Sequence, residues 1–415
     1  MTQPSDIAII GGGAAGLAAA IFAAEAARGS RRVVILDSAA SLGAKILVSG
    51  GGRCNVTHDV VTPDNFNGAR NVVRNILAAF SASATVEWFD TLGVQLKREE
   101  TGKLFPVANS ARAVLDALLR RSLELGVTVQ CGCRVSAIPP PGESDRCFTI
   151  EHSGGTTRAA RVIMATGGRS LPRSGSDGSG WDIVKPLGHT VTPTFAALVP
   201  LVLDTTMFHV SLSGIAMDVQ LSTFADEKLI DRRRGSLLWT HFGISGPVVM
   251  DASRHWVIAH ESGIPVRMEC HLLPGDDFET VESWLVEQSA SRGRTSIAAV
   301  LATRLPERVA RAVIAHAGID AAIACAQLSR TNRRALVAML TALPLPILRQ
   351  RGWNYAEVTA GGVPLDEINF RTMESRKVPG LYLIGEMLDC DGRIGGFNFQ
   401  WAWSTGHLAG KSAVR

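Results

Sequence analysis

With 415 residues the chain is too long for one ordinary core, so two or three domains are expected. Its 46% hydrophobic and 19% charged residues exclude a disordered polypeptide. A formal net charge of +4 suits anionic ligands but is too small to argue for nucleic acid by itself.

The strand Asp6-Ile7-Ala8-Ile9-Ile10 begins at once, with no basic leader or cleavage signal before it. No uncharged apolar run reaches the roughly 18 residues of a membrane span. A cytoplasmic protein that makes no membrane contact is the expectation. The fully apolar Ile7–Ile10 suits the inside of a parallel sheet. An Ala-rich helix follows to about Arg28, stopped by Gly29, and Arg31–Asp37 then reads as a second buried strand that completes a βαβ unit. Helical patterning spans 66–96 and Ala111–Leu125. Three strand-like runs, Val127–Ile138, Cys147–His152 and Arg161–Ala165, are separated by Pro139–Gly142 and by Gly154-Gly155, and predict a β-meander.

After about Thr194 the short alternating segments Leu198–Leu203, Met217–Phe224, Leu237–Thr240 and Val266–Leu272 predict an antiparallel barrel or small sheet. Residues 276–343 are rich in Ala, Leu and Arg at helical spacing, and Pro274-Gly275 precedes them. Strand character returns at Ala356–Thr359 and Leu381–Gly385, and a last helix starts near Asn398. The expected fold class is α/β: a Rossmann-like nucleotide-binding domain with a β-meander, interrupted by an inserted antiparallel β-barrel and a helical subdomain. The boundaries are 1–194 with 357–415 for the first domain, 195–274 with 345–356 for the barrel, and 275–344 for the helices.

Gly11-Gly12-Gly13-Ala14-Ala15-Gly16 fits G-x-G-x-x-G after a strand and at the start of a helix. Gly11 permits the turn, Gly13 lets backbone N–H groups approach a pyrophosphate, and Gly16 lets helix and strand pack closely. Asp37, about 20 residues on, stands where an acid binds a ribose hydroxyl. The fingerprint alone does not separate FAD from NAD. The glycine-dense stretch Gly43–Asn55, with Lys45, Ser49, Gly51, Gly52, Arg53, Cys54 and Asn55, suits a ligand that extends beyond the pyrophosphate towards an isoalloxazine ring. As a mobile surface loop it would leave Ile46, Leu47 and Val48 exposed. Ala165, Thr166 and Gly167 end the meander, with Val135 on its first strand. Gly385 and Glu386 end another strand, and Gly396, Phe397 and Asn398 open the last helix, whose dipole would stabilise negative charge on a reduced ring.

On these blocks, together with Thr240–Pro247, Thr359–Val363 and Gly385–Gln400, the chain resembles the YhiN/BaiN-type family of NAD(P)/FAD-dependent oxidoreductases, also labelled aminoacetone-oxidase-type FAD-binding proteins. The resemblance implies FAD, a Rossmann-like domain made from both chain ends, and inserted barrel and helical domains. Three positions depart from the family pattern. Gly178-Ser179-Gly180-Trp181 replaces Gly-Asp-Gly-Tyr, and Asp37 stands where Glu is common.

The candidates for catalysis are Arg53, His241 and Glu386, with Asp389, Asp391 and Arg393 as further polar residues inside the motifs. His241 reads either as facing a substrate cleft or as hydrogen-bonded in an inter-domain contact. Arg53 reads either as a clamp for a substrate carboxylate or flavin O2, or as the partner of Glu386 or Asp389. Cys54 beside Arg53 reads as a lowered-pKa thiol or, preferably, as a packed neutral one. The remaining cysteines are scattered, without zinc spacing or Cys-x-x-Cys, so no metal site is expected. Cys131 and Cys133 would share one face of a strand as structural neighbours.

A second dinucleotide fingerprint is lacking, so NAD(P)H would bind only transiently over the flavin. The arginines of the helical insert, from Arg292 to Arg334, read as a solvated face rather than an RNA surface, because stacking aromatics are not interleaved with them. The leading expectation is hydride transfer between flavin N5 and a small or medium organic substrate. The alternative is an RNA-associated flavoprotein involved in nucleic-acid modification.

Overall fold

The computed structural model describes residues 5–139 and 147–415, and the chain divides into two compact units. One contains the residues up to Phe195 together with Glu357–Arg415, and the other is Ala196–Ala356.

In the first unit the four apolar residues Val33–Leu36 and the tail of Ser5–Ile10 are buried on both faces, as central parallel strands require. The sheet order is Ile368–Asn369, Glu374–Ser375, Leu381–Leu383, Gly155–Met164, Ser5–Ile10, Val33–Leu36 and Thr128–Gln130. From Leu381–Leu383 to Thr128–Gln130 every pairing is parallel. The strand Gly155–Met164 serves two sheets' worth of partners. Its first half pairs antiparallel with Phe148–His152, and its second half pairs parallel with Ser5–Ile10.

The expected run Val127–Ile138 is not one strand. Thr128–Gln130 extends the parallel sheet, the chain turns at Gly132 with positive φ, and Val135–Ala137 then pairs antiparallel with Phe148–His152. Cys131 and Cys133 therefore lie in the turn and not side by side on a strand. The expected Pro139–Gly142 loop falls mostly outside the described residues. The helical patterning at 66–96 resolves into Arg70–Ala79 and Ala82–Thr91, because the Ser81 hydroxyl accepts the Ala84 N–H and starts a new helix.

Helix Ala14–Ala27 is buried almost all round, since alanines present little bulk on any face. Helix Phe397–Ala413 lies directly on it. A Cβ at Gly410 would stand 2.5 Å from Ala19 O, and one at Gly406 would stand 2.8 Å from Ala15 O. The two ends of the chain are thus joined at backbone contact distance.

The second unit carries a seven-stranded antiparallel sheet in the order Leu343–Leu345, Val266–His271, Ala216–Ala225, Lys228–Thr240, Gly243–Ser245, Leu201–Leu203 and Ile347–Gln350. The expected barrel does not close by hydrogen bonding. The two outer strands are halves of one segment split at Pro346, which has no N–H to give a ladder. Helix Pro247–Glu261, absent from the sequence expectation, packs on the two long strands. Its start is marked only by Gly246-Pro247, and its buried Val248, Val249, Ala252 and Trp256 read equally as strand residues. Phe278–Ser291, Ile297–Leu301, Glu307–His316 and Arg330–Thr341 make up the helical part. Among the described residues no helix is long and apolar enough to cross a membrane.

One buried polar cluster fixes the edge of the first sheet. His189 Nδ1 meets Glu367 Oε2 at 2.7 Å and its Nε2 meets Ser375 Oγ at 2.8 Å, while Lys377 and Thr190 also donate to Glu367. Burial opposes ionisation of Glu367. The hydrogen bonds from Lys377, Thr190 and His189 outweigh it and hold the carboxyl at about 2, below its usual 4.5. A depressed carboxyl pKa contributes stability above the unfolded value that is lost as pH falls towards the folded one. Glu367→Gln is therefore expected to lower unfolding stability near neutral pH by on the order of 1–2 kcal/mol after solvent screening. Urea titrations should find that deficit shrinking at about pH 3.5. A deficit independent of pH would assign the effect to shape rather than charge.

Candidate functional site

The turn after Ser5–Ile10 is built to keep side chains away. Gly11 N–H donates to Leu36 O at 2.9 Å, and a Cβ at Gly16 would lie 1.9 Å from Gly11 O, so only glycine lets the helix start so close to the strand. Gly13 is the N-cap of helix Ala14–Ala27 and no side chain caps it. Nothing lies within 4 Å of where a Gly13 Cβ would be. The N–H groups of Ala14, Ala15 and Gly16 thus begin a helix whose positive end opens onto free space, the arrangement that binds a phosphate. Asp37 borders this turn: Oδ2 accepts Gly12 N–H at 2.6 Å and Oδ1 accepts Ala39 N–H at 2.7 Å. Each carboxylate oxygen keeps a second lone pair for a ribose hydroxyl.

Other predicted blocks meet this turn. Ala165 N–H donates to Ile10 O at 2.8 Å, and a Cβ at Gly385 would touch Ala15 Cβ at 2.9 Å. The buried hydroxyls of Thr166 and Ser176 find no hydrogen-bond partner among the described residues, and neither does Asn55 Oδ1. Val135 is buried opposite His152 in the meander. Ser49 Oγ donates to Ile46 O, and Gly50, Gly51 and Gly52 all have positive φ of 55°, 68° and 83°. Consecutive residues of that kind turn their N–H groups inward to one side, a concavity suited to anionic or carbonyl oxygens.

A Cβ at Gly396 would stand 2.6 Å from Thr57 O and 2.9 Å from Asn55 Oδ1, so the last helix begins on the glycine loop. Phe397 stacks on His58 at 4.8 Å, and Asn398 exchanges two hydrogen bonds with Gly392 at 2.8 and 2.9 Å. The amino-terminal turn, the Lys45–Asn55 loop, Ala165–Gly167 and Gly385–Asn398 are therefore neighbours. An open helix N-terminus, a bordering carboxylate and unpaired buried hydroxyls fit the diphosphate, ribose and polar groups of FAD.

Lys45 and Glu386 belong to one network. Lys45 Nζ donates to Glu386 Oε2 at 2.5 Å and to Ser170 Oγ at 2.8 Å, and the Ser170 hydroxyl lies 2.8 Å from Glu386 Oε1. Thr359 N–H and Oγ1 both donate to Glu386 Oε1 at 3.0 Å. With these donors Glu386 is a positioning acceptor. Ser170 and Thr359 were not among the sequence candidates. Thr359 stood inside a matched block, but no spacing links it to a glutamate 27 residues later.

Several expectations change. Arg53 pairs with Glu99 at 2.6 Å and lies over Phe105 at 4.0 Å, not with Glu386 or Asp389, because Glu386 is taken by Lys45 and Asp389 accepts from Thr192. Burial pushes the Cys54 thiol up to about 12, so it is neutral. Ile46 is fully buried, but Val48 is 59% exposed, contrary to the idea that the loop hides all three apolar residues. His241 lies in the other unit, exposed in the turn between Lys228–Thr240 and Gly243–Ser245, with its ring 5.2 Å from Phe242. Trp181, one of the departures from the family pattern, donates through Nε1 to Met387 O at 2.9 Å and holds the turn that carries Glu386.

The arginines of the helical insert do have aromatic neighbours, Trp284 under Arg304 at 4.9 Å and Phe278 under Arg334 at 5.0 Å. These side chains are nonetheless tied to carboxylates: Arg304 to Asp276, Arg311 to Glu307, and Arg333 and Arg334 to Glu282. Among the described residues no group of three or more His, Cys, Asp or Glu could hold a metal ion.

The family model described as HI0933-like protein Rossmann domain matches residues 5–412. The chain is 34% identical over 403 residues, 96% of each chain, to ribosomal RNA dihydrouridine synthase of Escherichia coli strain K12. It is 32% identical over 409 residues, 98% of each, to 3-dehydro-bile acid delta(4,6)-reductase of Clostridium scindens. Among solved structures, E. coli quinol fumarate reductase FrdA shares the fold, with a TM-score of 0.51 at 17% identity over 99% of this chain and 70% of that one.

Because the Gly13 Cα faces open space, Gly13→Glu is expected to fold normally yet place a carboxylate where the diphosphate belongs. The purified variant should carry less than about a tenth of the wild-type flavin, from the loss of over ~1.4 kcal/mol of binding. Absorbance of the released cofactor measures this, with circular dichroism to check folding. Full flavin occupancy would remove the assigned site.

Proposed function

This chain belongs to the HI0933-like Rossmann family of FAD-dependent oxidoreductases, and on that footing we propose that it reduces a carbon–carbon double bond conjugated to a carbonyl, with NAD(P)H as a transient donor. The observation that carries this reading is the meeting, inside one unit, of the Gly11–Gly16 turn, the Lys45–Asn55 loop and the Gly385–Asn398 segment. With no second dinucleotide fingerprint in the sequence, a nicotinamide nucleotide has no βαβ unit of its own in which to stay. A uracil ring and a 3-oxo steroid diene, the substrate chemistry implied by the two relatives' names, share one electrophile, an alkene made electron-poor by a carbonyl.

Bound FAD supplies the hydride chemistry. The balance is NAD(P)H + H⁺ + C=C giving NAD(P)⁺ + HC–CH, so the protein has one proton to deliver. The Gly13 N-cap and the first N–H groups of Ala14–Ala27 would hold the diphosphate, and Asp37 would accept from the ribose. The positive end of helix Phe397–Ala413 would favour negative charge on a reduced ring, by roughly 0.3–2 kcal/mol. Lys45, held by Glu386 and Ser170, keeps an ammonium beside the glycine loop. Arg53, clamped by Glu99 and Phe105, orients a substrate oxygen; a guanidinium does not give up its proton at neutral pH.

The leading substrate class is a small or medium organic molecule. A second reading, that the alkene is a uracil of ribosomal RNA, is favoured by the 34% identity to a ribosomal RNA dihydrouridine synthase.

Anaerobic mixing with NADH and NADPH should bleach the flavin, and reoxidation by a 4-en-3-one steroid or by rRNA fragments should distinguish the two substrate classes. Failure of both nicotinamides to bleach the wild type would remove the donor.

A further inference from the structure

Arg351 differs from the arginines of the helical insert. Its guanidinium is stacked between two rings, 4.0 Å from the Phe242 centroid and 3.8 Å from that of Tyr355. Arg304, Arg311, Arg333 and Arg334 each face a carboxylate, whereas no carboxylate pairs with Arg351 among the described residues. Its backbone is fixed by Arg351 N–H to Pro200 O at 3.0 Å, at the end of the strand Ile347–Gln350. Phe242 is fixed by Leu203 N–H to Phe242 O at 3.1 Å. Two rings therefore flank the cation, and its N–H fork is held for an oxyanion at little further entropic cost. Tyr355 is 47% exposed, with exposed Arg349 on the neighbouring strand.

A cation locked between rings, with an exposed ring beside it and a second cation nearby, is the combination that takes the phosphate and base of an unpaired nucleotide. A surface this open does not enclose a small molecule as a pocket does. We propose that Phe242, Arg351 and Tyr355 form a docking platform for a single-stranded RNA segment, Arg351 binding a phosphate and Tyr355 stacking a base. This deepens the ribosomal-RNA reading of the substrate and rests on it.

The test measures the affinity of the flavin-loaded protein for a short uridine-containing RNA by fluorescence anisotropy across a salt series, together with dihydrouridine formed with NADPH. Arg351→Gln and Tyr355→Ala are each expected to weaken RNA binding about tenfold, with Tyr355→Phe at the wild-type level. Arg351→Gln should also reduce the salt slope by about one. Flavin content and bleaching by NADPH should stay unchanged in all three. RNA binding by the wild type with no loss in Arg351→Gln and Tyr355→Ala overturns the platform and leaves the RNA reading standing. A wild type that neither binds nor modifies RNA overturns the RNA reading itself. A raised KM for NADPH in Arg351→Gln, with RNA binding unchanged, overturns the proposal in favour of the nicotinamide nucleotide.

Discussion

The backbone N–H groups that begin helix Ala14–Ala27 must stay without side-chain partners and free of bulk, and much of the first unit follows from that requirement. A helix start left open is unstable in isolation, because its first donors have no intrahelical acceptors. Here the cost is offset by packing. The rest of the helix is enclosed, its alanines allow Phe397–Ala413 to approach at backbone distance, and Gly16 seats it on the preceding turn. The same glycines at 406 and 410 that allow this approach also bring the second helix N-terminus, at Gly396, onto the loop at Asn55–Thr57. One constraint near residue 13 thus specifies small residues almost 400 positions later.

Much of this was legible in the sequence because it is written in local signals. The apolar runs at Ile7–Ile10 and Val33–Leu36 and the glycine turn between them act over a few residues. What was not legible depends on partners far apart in the chain. Arg53 has several acids within the matched motifs, yet its partner is Glu99, on neither of the segments considered. The meander's first strand was misjudged because Thr128–Gln130 and Val135–Ala137 carry the same alternation, while Gly132 sends them to different partners. Helix Pro247–Glu261 escaped because a buried helix and a buried strand share one composition.

The insert's closure illustrates the same limit. Alternating segments predict an antiparallel sheet, but whether its edges pair depends on backbone donors at its two ends. Pro344 and Pro346 interrupt the segment that forms both outer strands, so the chain links the edges covalently without a hydrogen-bonded seam.

Charge count says little about where anions bind; the state of each cation says more. Lys45 stays beside the glycine loop only because Glu386, Ser170 and Thr359 compensate one another there, a grouping that Trp181 supports from Met387 O. Arg53 is oriented by one acid and one ring, and Arg304 and Arg334 are each held by an acid despite an aromatic neighbour. A guanidinium neutralised by a carboxylate has little left to offer a phosphate, since a ligand must first displace the ion pair. A guanidinium stacked between rings keeps its in-plane donors and its full charge. The arginine-rich helices of the insert are therefore the less suitable anion-binding surface, although they hold more arginines, and Arg351 is the better one. Counting basic residues along the chain points to the wrong face; sorting them by what already occupies their N–H groups reverses the order.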